Sequence, residues 1–187
     1  MRVISGDFKG KKILEPRDIK TRPLKDLTKE SIFNILKHSE KFSIKLKNSE
    51  ILDLFSGTGS FGIECLSRGA KFVTFVENYK GILPTLKKNL INLKTVENYS
   101  IIEQNILIDF NFRNLKKQFD IIFLDPPYKE TKLEKLISEL QLKKILKNNG
   151  ILIIHRHKKQ NDMFFKSLKV LEEKKYGISK IFFCVYN

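Results

Sequence analysis

Between residues 50 and 155 short apolar runs alternate with stretches whose apolar side chains recur every three or four positions. The runs Ile51–Phe55, Phe72–Val76, Tyr99–Ile102, Ile121–Leu124 and Ile151–His155 are brief and rich in β-branched and aromatic residues, which predicts strands. Phe61–Arg68, Lys80–Leu90 and Leu133–Leu146 carry the helical period, with Pro84 expected to bend the second. Strand–helix alternation predicts a parallel sheet covered on both faces. The tail breaks the pattern. Leu168–Tyr176 and Ile178–Tyr186 are separated by Gly177 alone, which predicts a closing antiparallel hairpin. Ahead of the sheet, residues 1–14 alternate weakly around Gly6 and Gly10 and predict a short hairpin. Thr21-Arg22-Pro23 is a loop. Residues 26–37, with Leu27, Ile32, Phe33, Ile35 and Leu36, predict a helix, and a polar connector follows. The chain is thus expected to divide into an extension over 1–49 and a main α/β domain over 50–187, without repeats or a long linker.

Composition sharpens this picture. The 187 residues, 41% of them hydrophobic, suffice for one sizeable core. The net charge of +15 favours a polyanionic partner, of which nucleic acid is the commonest. Lysine supplies all but six of the 36 basic residues. An AT-rich coding bias would scatter lysines over the surface, but it does not account for the cluster Lys9, Lys11 and Lys12. Cys65 and Cys184 are far apart and match no metal spacing, which implies a reducing compartment and no disulfide. No apolar run approaches the roughly 20 residues that span a bilayer. The first residues are too polar for a signal peptide, so a cytoplasmic location is expected, with no membrane partner.

The first strand runs into Asp53-Leu54-Phe55-Ser56-Gly57-Thr58-Gly59-Ser60-Phe61-Gly62 and then a helix. Glycines allow a sharp turn and close approach of a ligand, and the helix start offers free N–H groups. Gly57, Gly59 and Gly62 also satisfy G-x-G-x-x-G, which leaves a dinucleotide open. Asp53 argues against it, because its charge would repel a pyrophosphate. The segment resembles the D-x-F-x-G-x-G loop of methyltransferases that use S-adenosylmethionine (SAM), where the carboxylate helps hold the cationic amino-acid end. Asp53, Phe55, Gly57, Thr58 and Gly59 are the candidate cofactor residues there. Glu77 ends the second strand, where a carboxylate can accept from both ribose hydroxyls of either nucleoside. After the third strand, the side chain of Asn105 and the N–H of Ile106 are candidates for reading adenine.

The fourth strand ends in Asp125-Pro126-Pro127-Tyr128. Two prolines stiffen the backbone where it leaves the sheet. The carboxylate of Asp125 and the carbonyl of Pro126 can then converge as two acceptors. An exocyclic base amine offers two N–H donors and a lone pair delocalised into the ring. Accepting both hydrogens draws the nitrogen towards a tetrahedral shape and frees that lone pair for attack. Tyr128 can stack on a base taken out of its helix. His155 and His157, two apart on a strand with no third ligand, do not make a metal site and are read as surface residues.

Across nearly its whole length the chain resembles the RsmD family of bacterial 16S rRNA guanine-N2 methyltransferases. The resemblance is carried by Arg2-Val3-Ile4-Ser5-Gly6, Lys9-Gly10-Lys11-Lys12, Thr21-Arg22-Pro23 and Asp26. It continues through Glu30-Ser31-Ile32-Phe33-Asn34-Ile35-Leu36, the Asp53 loop, Ser67-Arg68-Gly69-Ala70, Phe75-Val76-Glu77, the Asp125 tetrapeptide and Lys175-Tyr176-Gly177. It implies a Rossmann-like class I fold, with a seven-stranded, mostly parallel sheet, an antiparallel C-terminal hairpin and a small N-terminal extension. It implies SAM as cofactor, S-adenosylhomocysteine (SAH) as product and no metal. The partner would be 16S rRNA in a small-subunit assembly intermediate, met by a monomer. Arg2, Lys9, Lys11, Lys12 and Arg22 would contact phosphates, with Arg22 alternatively near the methionine carboxylate. Leu24 and Leu27 depart from the family's Thr and Arg, and His155 stands where Glu is expected.

Other functions fit parts of the pattern. A DNA adenine-N6 or cytosine-N4 methyltransferase shares the tetrapeptide but usually adds a recognition region. Protein glutamine methyltransferases begin the tetrapeptide with Asn rather than Asp. A non-catalytic RNA-binding protein would not need Asp53, Gly57, Gly59 and Asp125 intact. A nicotinamide enzyme would bind NAD and not SAM.

Overall fold

The computed structural model describes residues 1–16, 18, 24–94, 97–108, 111–115, 117–160 and 166–187, with Arg113 described by its backbone alone. Five strands, β1 (Glu50–Leu54), β2 (Phe72–Val76), β3 (Tyr99–Ile102), β4 (Phe119–Leu124) and β5 (Leu146–His157), run parallel. The hairpin β6 (Leu168–Tyr176) and β7 (Ser179–Tyr186) closes the sheet with β7 antiparallel to β5. The order is β3-β2-β1-β4-β5-β7-β6; the seven strands, mostly parallel with an antiparallel C-terminal hairpin, are what the family resemblance implies. The chain reverses its direction of travel between β1 and β4, and ligands of open α/β sheets bind outside the carboxyl ends of the strands at such a point.

Strand side chains alternate between two apolar layers. Ile51, Ile121, Phe123, Ile151 and Ile153 face a core shared with α1 (Asp26–His38), α2 (Ser60–Ser67) and α3 (Leu83–Ile91). Leu52, Leu54, Ile122, Leu124, Leu152 and Ile154 face α4 (Leu133–Leu142). This two-sided burial is why the end of β4, Ile121–Leu124, reads as an unbroken apolar run. No helix among the described residues is long and apolar enough to cross a membrane.

The ends of some elements differ from the pattern. The helix expected to reach Leu146 ends at Leu142, because Lys144 turns left-handed with φ 51° and the Ile145 amide bonds back to the Leu140 carbonyl. Ile145 and Leu146 continue the helical spacing, which conceals that stop. Pro84 sits in the first turn of α3 and starts that helix instead of bending it, since the ring needs no N–H there. Residues 1–14 form the expected short hairpin in minimal form: one antiparallel bridge joins Arg2 to Lys12, and the amides of Val3 and Ile13 donate to the carbonyls of Lys11 and Met1.

That N-terminal segment shares its core with the sheet. Val3, Ile13, Ile32 and Phe33 belong to the same apolar cluster as Ile181 and Phe183. The rings of Phe33, Phe61 and Phe123 stack in a column, with centroids 5.3 and 4.0 Å apart, and so join α1 to α2 and β4. Polar contacts add direction. The buried Glu64 carboxylate on α2 accepts from the Ile4 amide at 2.7 Å, the Ser5 amide at 3.0 Å and Arg68 Nε at 2.8 Å. The buried Lys29 ammonium lies 3.8 Å from Glu64 and donates to the Arg2 carbonyl and to Ser60 Oγ. Burial lowers the Lys29 ammonium below its ordinary value, opposed by the charges of Glu64 and Asp26. Gly6 packs so closely on Ser67 that an added Cβ would lie 1.8 Å from the Ser67 carbonyl oxygen.

Candidate active site

A cavity of about 590 Å³ opens at the carboxyl ends of β1 and β4. Such a volume accommodates a nucleoside-sized ligand. Its lining includes Asp53, Phe55, Gly57 and Thr58 from the loop after β1, Glu77 after β2, and Asp125, Pro126, Pro127 and Tyr128 after β4. The two motifs, 72 positions apart in Asp53 and Asp125, therefore share one site, as parallel register demands: Asp53 pairs with Phe123 and Leu54 with Leu124.

The glycine loop is tightly wound. Phe55, Gly57 and Gly59 all take left-handed backbone, with φ of 60°, 56° and 80°. Phe55 bears a side chain in a conformation such residues seldom adopt. A Cβ on Gly62 would sit 2.3 Å from the Phe75 ring, so the absence of one lets α2 lie close on β2. The amide of Gly62, in the first turn of α2, donates to Asp53 Oδ2 at 3.0 Å. Asp53 thus satisfies one of the open helix-start donors from the neighbouring strand. Burial drives the Asp53 carboxyl well above its ordinary value, the Gly62 amide opposes this, and the charges of Asp125 and Glu77 add to the rise.

Glu77 is almost wholly engaged with backbone. It accepts from the amides of Gly57, Asn78 and Tyr79, each at 2.8 Å. A carboxylate offers about four acceptor positions, so one is left for a ligand hydroxyl. The contact with Gly57 also joins the exit of β2 to the glycine loop.

The tetrapeptide is fastened from β5 and the loop beyond it. The Asp125 amide donates to the Leu54 carbonyl. Arg156, 1% exposed, donates to the carbonyls of Pro127 at 3.3 Å and Glu130 at 3.1 Å. Gln160 donates to the Tyr128 carbonyl at 2.7 Å. The Tyr128 ring meets His157 and His155 edge-on, at 4.9 and 6.2 Å between centroids. His155 corrects the expectation of a surface residue. It is 6% exposed and lines the cavity, with Nδ1 2.7 Å from Asp125 Oδ1 and Nε2 2.9 Å from Ser179 Oγ. The register of β4 and β5 accounts for this. Leu124 aligns with Ile154 in the parallel ladder, and one step further puts Asp125 beside His155.

Other expected site residues stand elsewhere. Gly59 serves as the residue before α2 and is outside the cavity lining. Asn105 Oδ1 accepts from the Leu107 amide at 2.9 Å, a local turn. Ile106 is buried and faces a separate groove beside α4. Arg2, Lys9, Lys11 and Lys12 are exposed on the N-terminal turn, with the Lys11 ammonium 4.9 Å from the Phe8 ring centroid. Arg22 lies outside the described residues. Leu24, Ser60, Phe61, Asn78, Tyr79 and Phe123 line the cavity although the sequence reading did not select them.

Among the described residues, three carboxylates against one lysine, Lys129, line the cavity. This donor set suits a ligand bearing positive charge, as the ammonium and sulfonium of SAM do, and opposes a pyrophosphate. The side-chain chemistry therefore fits SAM.

Comparisons with known proteins agree. The family model described as "Conserved hypothetical protein 95" matches residues 1–185. The ribosomal RNA small subunit methyltransferase D of Buchnera aphidicola is 37% identical over 92% of this chain and 86% of its own. That of Haemophilus influenzae is 36% identical over 95% and 90%. Among solved structures, a proposed methyltransferase, yhhF, from Escherichia coli aligns at a TM-score of 0.78 and 26% identity, covering 98% of this chain and 96% of its own. A proposed methylase from Haemophilus influenzae aligns at 0.72 and 33%, with 98% and 96% covered. With its class I methyltransferase fold and SAM-compatible cavity, this chain belongs to the RsmD family of SAM-dependent methyltransferases.

Proposed function

We propose that the protein methylates the exocyclic N2 amine of a guanine in 16S rRNA, within a partly assembled small ribosomal subunit in the cytoplasm. The observation that carries this reading is the meeting of Asp125 and the rigid Pro126-Pro127 backbone with Asp53 and Glu77 in one cavity. Asp53 would hold the cationic amino-acid end of SAM, and the remaining acceptor position of Glu77 would take one ribose hydroxyl. When bound, SAM supplies a methyl group whose carbon–sulfur bond breaks, with its electron pair left on sulfur, as the bond to nitrogen forms. Asp125 Oδ2 and the Pro126 carbonyl accept the two amine hydrogens and align the lone pair, and alignment supplies much of the rate. The surplus proton of the methylated nitrogen passes to the Asp125 carboxylate and then to solvent. Tyr128 stacks on the extruded base. The exposed Arg2, Lys9, Lys11 and Lys12 meet RNA phosphates.

Transfer of a labelled methyl group from SAM tests the reading. Naked 16S rRNA, partly assembled small-subunit particles and duplex DNA are offered, and the modified nucleoside is identified. N2-methylguanosine from RNA is expected. Label found only as methylated adenine or cytosine in DNA would replace the substrate while keeping the site.

A further inference from the structure

Among the described residues, three side chains form a chain of contacts at the end of the sheet: Asp125 after β4, His155 on β5 and Ser179 opening β7. Asp125 faces the cavity, whereas Ser179 is 8% exposed and is not part of its lining. The buried serine hydroxyl does not line the cavity, so the trio is not arranged for nucleophilic attack on a ligand there. What it offers is control of the carboxylate.

At 2.7 Å, two lone pairs would repel, so a proton lies between Nδ1 and Oδ1. With Asp125 as a carboxylate, that proton belongs to the imidazole. Oδ1 is then occupied, and Oδ2 is the oxygen available to a substrate amine. The partner at the other ring nitrogen suits either charge state. A hydroxyl donates to Nε2 of a neutral ring and accepts from Nε2–H of a protonated one. Ser179 therefore lets His155 gain or lose a proton without stranding a buried polar atom.

We propose that His155 is a positioning residue for methyl transfer, orienting Asp125 through Nδ1–H and restricting turnover to the neutral-imidazole form. This rests on the proposed amine-methylating function. A neutral ring leaves the Asp125–His155 pair with one negative charge, which attracts amine hydrogens and receives the released proton. A protonated ring cancels that charge, and accepting a further proton would make the pair positive beside a cationic methyl donor. The groups facing His155 are Asp125 from β4, Arg156 on its own strand, Ser179 from β7 and the Tyr128 ring; Asp53 lies across the cavity. Burial pulls the imidazole down, the charge and hydrogen bond of Asp125 more than offset it, Arg156 opposes, and the net direction is upward. Turnover should accordingly rise with pH through an ionisation above the ordinary histidine value.

Two measurements on the intact protein test this. The first follows the His155 ring nitrogens by NMR from about pH 5.5 to about pH 9, in wild type and in Asp125→Asn. A titration above the ordinary value, lowered in Asp125→Asn, is expected. A ring titrating at the ordinary value in both would overturn the pairing. The second measures methyl transfer over the same range in wild type, His155→Asn and His155→Ala. The Asn amide can donate to Asp125 but does not titrate. His155→Asn should keep activity within about tenfold of wild type at high pH and lose the pH step. His155→Ala should fall by about tenfold to a hundredfold while still binding SAH. An identical pH step in wild type and His155→Asn, or full activity in His155→Ala, would sink the proposal. Wild type that transfers methyl to no RNA would instead refute the proposed function, and the NMR titration would still decide the state of His155.

Discussion

Asp53 serves two opposed ends. Its burial near Asp125 and Glu77 disfavours the ionised form in the ligand-free protein, yet that ionised form is what would hold a cation. A carboxyl raised in the folded state makes folding less favourable as pH climbs above its unfolded value. Asp53→Asn keeps an oxygen for the Gly62 amide and removes the charge. It should raise the melting temperature of the ligand-free protein near neutral pH and weaken SAM binding by about tenfold or more. Calorimetry and thermal melts read both; unchanged affinity would take Asp53 out of the ligand contact. Asp125→Ala should behave differently. It should cut turnover by about a hundredfold or more while SAM affinity stays within a few fold, because its role lies with the amine. Equal turnover in that variant would remove Asp125 from the reaction. Both residues were legible in the sequence because each sits in a local motif. His155 was not, since its meaning depends on a neighbour 30 positions away that only the β4–β5 register supplies. The sequence also could not show that the Asn105 side chain takes part in its own turn, where Oδ1 accepts from the Leu107 amide.

At the level of elements, α2 receives contacts from every direction. Its first turn meets Asp53, its middle carries Glu64, and its last residues receive the N-terminal turn at Ser67. Removing a buried charge whose partners stay behind costs about 3–5 kcal/mol. Glu64→Ala should destabilise by that order in urea unfolding, because it strands the amides of Ile4 and Ser5 and the ammonium of Lys29. A loss below about 1 kcal/mol would mean that these groups find water instead. The existence of the strands was readable from the apolar runs, since two-sided burial leaves few polar positions to confuse them, whereas their order across the sheet was not. The end of α4 was not, because a single left-handed Lys144 carries no residue-type signature. Local alternation pointed to the N-terminal hairpin but could not reveal where its tip is held, because the amides of Ile4, Ser5 and Phe8 go to Glu64 and Ser67 on α2.

Over the whole molecule, the net charge of +15 sets how the protein meets RNA. Each lysine that neutralises a phosphate steepens the fall of affinity with salt by slightly less than one unit of slope. Replacing Lys9, Lys11 and Lys12 together with alanine should flatten the slope by about two to three units and leave SAH affinity unchanged. An unchanged slope would place the RNA on another face. The shared apolar layer has a consequence for the order in which this chain can fold. Val3 and Ile13 lie in one cluster with Ile181 and Phe183, and Phe42 stacks on Phe183 with centroids 5.6 Å apart. The segment carrying Val3 and Ile13 therefore waits for β7 before its apolar side chains are covered. Strand β1 likewise waits for β4, about 70 positions later by register. Such distant pairings make folding slow and leave apolar surface open during synthesis. A nascent chain stopped short of β7 should remain protease-sensitive along its whole length, and protection should arrive in a single step once β7 emerges.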